Sequence, residues 1–166
     1  MKAKTTRCEN LHLNQAEALM TKNDFNTIKS HRNIMNIIAS TDSPILYNGL
    51  VKILSELQEI EIIGVTKDLN EAEVAISKYD VHVFIIVFHN MQKSVFNKLK
   101  EIKEHNHNLV VIVLSNNPAD QYFTQWKNAG ADYVFDLAFH FNKVVDVLSG
   151  YIYKNLLESL RSNTIQ

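Results

Sequence analysis

The sequence predicts an α/β fold: a doubly wound, five-stranded parallel sheet between two helical layers. Three observations lead there. Short apolar runs alternate with helix-spaced segments five times between residues 34 and 160. Those runs are apolar on both faces, as strands are when helices cover both sides of a parallel sheet. Right-handed crossovers then leave the three-layer sandwich as the economical topology.

Each element has its own signal. Ile34 to Ala39 is the first apolar run. Ser43 and Pro44 supply a helix cap and a first-turn proline, and Ile45, Leu46, Leu50, Ile53, Leu54 and Leu57 follow at helical spacing. Glu61 to Val65 reads as the second strand and Asn70 to Lys78 as the second helix. Val81 to Phe88 is β-branched and aromatic almost throughout, the strongest strand signal in the chain. Val95, Phe96, Leu99 and Ile102 then mark a helix over Lys93–Glu104. Leu109 to Leu114 is the fourth strand; Asn117-Pro118 opens a helix that runs to Asn128 and is stopped by Gly130. Tyr133 to Leu137 is the fifth strand, and a long helix from Asn142 to about Leu160 closes the series.

Composition narrows the class. The 166 residues are 46% hydrophobic, enough for one domain with a sizeable core plus an extension. Seventeen basic residues against eighteen acidic ones exclude a nucleic-acid binder that works by bulk positive charge. Cys8 is the only cysteine, so there is no internal disulfide and no cysteine-cluster metal site. The longest apolar stretch, Val81–Phe88, falls far short of the ~20 residues a bilayer span needs. The N-terminus has no apolar segment behind its charges, so a cytoplasmic protein is expected.

The charge divides the chain. Residues 1–32 carry six Lys/Arg against three Asp/Glu, whereas residues 33–166 carry eleven against fifteen. Residues 1–33 are read as a polar leader, with Leu11, Leu13, Ala16, Met20 and Phe25 as the makings of one weak amphipathic helix, and a docking arm for a partner as the alternative. Residues 34–166 are the folded domain.

In such a sheet the functional crevice lies beyond the carboxyl ends of the strands. Those ends read Ser40-Thr41-Asp42-Ser43-Pro44, then His89-Asn90-Met91, Ser115-Asn116-Asn117 and Phe135-Asp136-Leu137-Ala138. Asp42-Ser43-Pro44 with Asn48-Gly49-Leu50, Ile60-Glu61-Ile62-Ile63-Gly64-Val65, Val111-Ile112-Val113-Leu114-Ser115, and Asn128-Ala129-Gly130-Ala131-Asp132-Tyr133 are four stretches with a familiar pattern. Over residues 34–148 the chain resembles the receiver domain of bacterial response regulators, the CheY-like, flavodoxin-like fold. The nearest subfamily is the receiver of LuxR-type regulators.

The resemblance implies a site and also its loss. Receivers accept a phosphoryl group from a histidine kinase on an aspartate ending the third strand, with Mg²⁺ held by an acid pair and the acceptor, and with a hydroxyl and a lysine on the phosphoryl oxygens. Here the acid pair falls on Thr41 and Asp42, the hydroxyl on Ser115, and the lysine and following proline on Leu137 and Ala138. Counted five residues from Asp80, the acceptor falls on Ile85, and no Asp or Glu in residues 81–100 replaces it. The switch aromatic falls on Val134. Isoleucine cannot accept a phosphoryl group, and one carboxylate is a poor site for Mg²⁺, so Mg²⁺ binding is expected lost or weak and no other cofactor is implied. An unpaired buried lysine costs several kcal/mol, which makes Leu137 the consistent partner of Ile85 in an apolar, filled pocket. The resemblance is therefore to a receiver without its phosphorylation site, a pseudo-receiver.

Each residue also has a structural role open to it. Asp42 fits the cap before the first helix, Ser115 the turn before Pro118, His82 a satisfied strand position, and Trp126 and Tyr133 the core. His105-Asn106-His107 reads as a solvated turn, and His89 and His140 also fall in loops or at helix ends. No Gly-rich phosphate loop, HExxH or GxSxG occurs, so no enzyme is expected.

Three functions remain. The first is phosphorylation-independent signalling through a protein partner or a homodimer, using the face of the fourth helix, fifth strand and fifth helix. The apolar stripe Val144, Val147, Leu148, Tyr151, Ile152, Leu156 and Leu160 on the final helix favours it. The second is a phosphorelay receiver modified at a non-standard residue. The third is a doubly wound small-ligand binder, which demands an open polar pocket at the strand ends. DNA binding is not expected, because only six residues follow Leu160.

Overall fold

Ten elements alternate in a computed structural model that describes residues 34–88, 93–115, 120–138, 140 and 142–163. They are β1 (Met35–Thr41), α1 (Pro44–Leu54), β2 (Ile60–Thr66), α2 (Leu69–Lys78), β3 (Val83–Phe88), α3 (Lys93–His105), β4 (Val110–Ser115), α4 (Asp120–Asn128), β5 (Tyr133–Asp136) and α5 (Asn142–Asn163). The strands form one parallel sheet of order β2-β1-β3-β4-β5. The leader and its expected helix, with Cys8, lie outside the described residues, as do His89 and Asn117-Pro118. No helix among the described residues is long and apolar enough to cross a membrane.

Two apolar layers hold the sheet. Alternate side chains of β3 go to opposite faces: Phe84 and Ile86 pack with Ile38, Leu99, Ile102, Val111 and Trp126, under α2, α3 and α4. Val83, Ile85 and Val87 pack with Ile37, Leu50, Leu54, Ile112, Leu114, Val144 and Leu148, under α1 and α5. With both faces covered, the strands read as continuous apolar runs.

Local chemistry sets the boundaries. Ser43 caps α1, its Oγ accepting from the Leu46 N–H at 3.4 Å, and Pro44 occupies the first turn. The helix ends at Leu54 rather than Leu57, because Leu57 N–H turns back to the Leu54 carbonyl. Ile45, expected on the buried face, is 82% exposed: in the first turn it points away from the sheet. Asp68 caps α2 by accepting from the N–H groups of Asn70 (2.8 Å) and Glu71 (2.9 Å), and Glu71 reaches back to the Lys67 N–H at 3.0 Å, a reciprocal box. The third strand starts at Val83, not Val81. His82 is tied to both neighbours, its N–H to the Asn36 carbonyl and its carbonyl to the Val110 N–H, while its Nδ1 accepts from Asn36 N–H.

The turn into β5 is held by one bracket. Asp132 Oδ2 accepts from Lys103 Nζ (2.7 Å) and from the Val111 N–H (2.8 Å), and Lys103 Nζ also donates to the Leu109 carbonyl. This staples α3, β4 and the start of β5. Gly130 sits over the lysine stem at φ +101°, where an added Cβ would lie 2.8 Å from Lys103 Cγ. Gly130→Ala therefore meets both a left-handed backbone and a clash, and is expected to destabilise the fold by about 1–3 kcal/mol. A lower urea midpoint at unchanged slope checks this.

Candidate functional site at the strand ends

Strand register decides which side chains meet at the crevice. Thr41, the last residue of β1, pairs with Val87 of β3; Val87 pairs with Leu114 and Phe88 with Ser115 of β4; Ser115 pairs with Asp136 of β5. Leu137 follows, its N–H donating to the Ser115 carbonyl at 3.0 Å. Thr41, Val87, Ser115 and Leu137 are all buried there.

This register corrects one expectation. Ile85 is not at the level of Thr41 and Ser115. It lies two residues deeper, between Ala39 and Ile112, fully inside the layer under α1 and α5. The residue opposite Thr41 is Val87, 1% exposed. The strand begins at Val83 rather than Val81, with His82 bonded through its backbone to Asn36 and Val110. Ile85, Val87 and Leu137 nonetheless share one apolar cluster with Leu114. Neither position carries a nucleophile.

The polar groups have local partners. Thr41 Oγ1 accepts from the Ser43 N–H at 3.2 Å, a turn two residues wide. Asp136 Oδ1 accepts from the Ala138 N–H at 2.8 Å in the same manner. The cap of α1 belongs to Ser43, and Asp42 stands exposed beside it.

Asp42 also lines an open cleft of about 680 Å³. The cleft runs from the ends of β1 and β2 to α3, with Lys67, Asp68, Asn70, Ser94 and Lys98 on its walls. Three charges there are already used: Asp68 caps α2, and Lys98 pairs with Glu101 of the same cleft (3.1 Å) and with Glu73 (2.5 Å). Those two hydrogen-bonded carboxylates raise the Lys98 pKa above its ordinary value. Among the described residues, Val87 and Leu137 thus give the crevice apolar walls toward β3 and β5, while Asp42, Lys67 and Lys98 make it charged over β1–β2. Sequence reasoning missed this second half, since Asp42, Lys67 and Lys98 come together only through the crossovers.

The donor set does not fit Mg²⁺. Thr41 and Val87, paired at the strand ends, offer no carboxylate beside Asp42, and the Asp68 and Glu101 carboxylates of the cleft are taken by the α2 cap and by Lys98. Among the described residues no three His, Cys, Asp or Glu side chains group as a metal site; His105 Nδ1 sits 2.8 Å from the Glu101 carbonyl.

Trp126 and Tyr133 have different surroundings. Trp126 is fully buried, edge-on to Phe96 at 4.7 Å between ring centroids, so it offers nothing to a partner directly. On the edge strand β5, Tyr133 stacks on Phe135 (6.0 Å) and meets Tyr151 of α5 edge-on (6.4 Å). Lys127 lies over Tyr133 and Lys143 over Phe135, at 5.9 and 6.0 Å. Burial pushes the Tyr151 phenol up to about 12, helped by the Tyr133 hydroxyl 3.5 Å away.

Two predictions follow from this geometry. Val87→Asp puts an unpaired charge in the apolar layer and is expected to cost roughly 3 kcal/mol or more, measured by urea unfolding at neutral pH. Tyr151 keeps its proton in the folded state to about 12 while an unfolded tyrosine loses it near 10. Its contribution to stability is therefore whole below pH ~10 and is lost as the pH rises from there through ~12. Tyr151→Phe should flatten that alkaline decline in chemical-denaturation curves taken across the range.

No family model matches the chain, and no curated protein matches it. Solved structures do. The isolated REC domain of RcsB from Salmonella enterica serovar Typhimurium matches with TM-score 0.63 and 22% identity, over 70% of this chain and 87% of that one. The receiver domain of NarL from Mycobacterium tuberculosis gives TM-score 0.64 at 15% identity, over 73% and 98%. A pilus assembly-related protein from Burkholderia pseudomallei gives 0.66 at 10% identity, over 74% and 92%. Parallel order β2-β1-β3-β4-β5, helices on both faces and these likenesses agree: the chain has the fold of a CheY-like response-regulator receiver domain.

Proposed function

We propose that this domain serves signal transduction as a receiver-fold module that works by protein–protein contact and without phosphorylation. The observation that carries the reading is the pairing of Thr41 with Val87. At the level where a receiver needs its acceptor carboxylate, the chain has a buried aliphatic side chain. Leu137 beside Ser115 supports it, since an apolar wall replaces the charge that would bind phosphoryl oxygens. Catalysis and cofactor chemistry play no part in this reading, and the protein acts in the cytoplasm.

The contact surface is the face of α4, β5 and α5. Tyr133, Phe135 and Tyr151 give it aromatic area at low entropic cost, and Lys127 and Lys143 flank the rings. RcsB, whose REC domain has this fold, is seen as dimers bound to DNA. A homodimer through this face, extended along the last turns of α5, is the form we favour here, with protein rather than nucleic acid as the ligand.

The cleft beside Asp42 supports a second reading, a small polar ligand held over β1 and β2. Phosphorylation at a non-standard residue is the third. One experiment separates the first reading from the third: incubation with acetyl phosphate and Mg²⁺ followed by intact-mass measurement. Unchanged mass is expected; a species one phosphoryl group heavier refutes phosphorylation independence.

A further inference from the structure

A second surface lies between α3 and α4, sharing Asn97 with the cleft beside Asp42 but none of the aromatic residues of the β5 face. A groove of about 670 Å³ runs there, with Lys93, Asn97 and Lys100 on one wall and Tyr122, Gln125 and Asn128 on the other. Its remaining lining, Phe96 and Ala129, is apolar. Among the described residues no carboxylate lines it, although residues 33–166 carry fifteen acids against eleven bases. Lys93 and Lys100 are exposed, and Lys100 has the Glu104 carboxylate 4.0 Å away with both side chains mostly in water. A pair so placed contributes little and leaves the ammonium available.

The spacing has chemical content. Lys93 and Lys100 are seven residues apart on one helix, about 10 Å along its axis. Between them the floor is hydrophobic and the opposite wall is amide and phenol. A groove between two helices, apolar beneath and cationic along one rim, fits a third amphipathic segment with acids on its flank.

We propose that the α3–α4 groove docks an acidic amphipathic segment of a partner protein. Its lysines meet carboxylates about two turns apart, its floor takes the apolar stripe, and Asn97, Gln125 and Asn128 bond the exposed backbone or side-chain amides. A nucleic acid is the poorer fit: a dense polyanion feels the acidic excess of the whole domain, whereas a short peptide feels mainly the groove. The proposal does not rest on the β5 face or on the phosphorylation-independent reading; either can fail alone.

The molecule contains its own reporter. Trp126 is the only tryptophan in the chain, and it lies against Phe96 of the groove with its indole N–H lacking a partner among the described residues. The full chain is titrated with a synthetic helical peptide of about 20 residues bearing Leu on one stripe and Glu seven residues apart beside it. A peptide with Lys replacing Glu and an oligouridylate serve as comparisons. The acidic peptide is expected to shift Trp126 emission with an affinity that falls as salt rises. Lys93→Glu/Lys100→Glu should weaken it about tenfold or more and bind the Lys peptide in its place. These lysines are exposed, so the variant's thermal unfolding should match the wild type, which separates lost binding from lost folding. No emission shift, equal binding of both peptides, unchanged affinity in the double variant or tighter binding of the oligouridylate would each overturn the proposal.

Discussion

Everything in this domain depends on burying both faces of the central strand. β3 has no polar side chain from Val83 to Val87, and all five residues are buried. Such a strand needs parallel neighbours for its backbone groups and a helical layer on each side for its side chains. β1 and β4 supply the first; α1 and α5 on one face and α2, α3 and α4 on the other supply the second. The crossovers this demands bring the carboxyl ends of five parallel strands to one edge of the sheet, so the position of the crevice is a consequence of core packing and not of any functional residue.

The same packing accounts for the chemistry of that crevice. Val87 and Leu137 continue the layer under α1 and α5 to the ends of the strands. Polar groups at this level are turned inward to backbone: Thr41 to Ser43, Asp136 to Ala138. Across the sheet, above β1 and β2, the arrangement opens and charge collects in opposed pairs, Lys98 with Glu73 and Glu101. A receiver concentrates acids where metal and phosphate meet. In this chain Asp68 caps α2, Glu73 and Glu101 pair with Lys98, and Asp42 stands exposed at the end of β1.

The two proposed contact surfaces differ in the same physical terms. The β5 face is aromatic and lies on an edge strand, stiffened by stacking and by cation–π contacts. The α3–α4 groove is cationic, with a floor made rigid by Phe96 and Trp126. Between them runs the Lys103–Asp132 bracket, which ties α3, β4 and β5 together and holds both surfaces on one frame.

What the sequence determined by itself was periodicity and punctuation. Five strand–helix units, the Ser43 cap, the Gly130 turn and the absence of any acid in residues 81–100 are local facts, and local physics reads them directly. Ser115 ends β4, as its apolar run indicates, and Leu137 directly follows β5. Register was beyond the sequence. Whether Ile85 or Val87 faces Thr41 depends on where β3 begins, and that is settled by hydrogen bonds from His82 to two neighbouring strands. Ile45 matched helical spacing yet faces solvent, because burial depends on what lies opposite and not on period alone. The cleft beside Asp42 and the α3–α4 groove join residues separated by a crossover, so only the tertiary structure could assemble them: parallel pairing puts sequence-distant loops and helix walls side by side, and no local pattern encodes that distance.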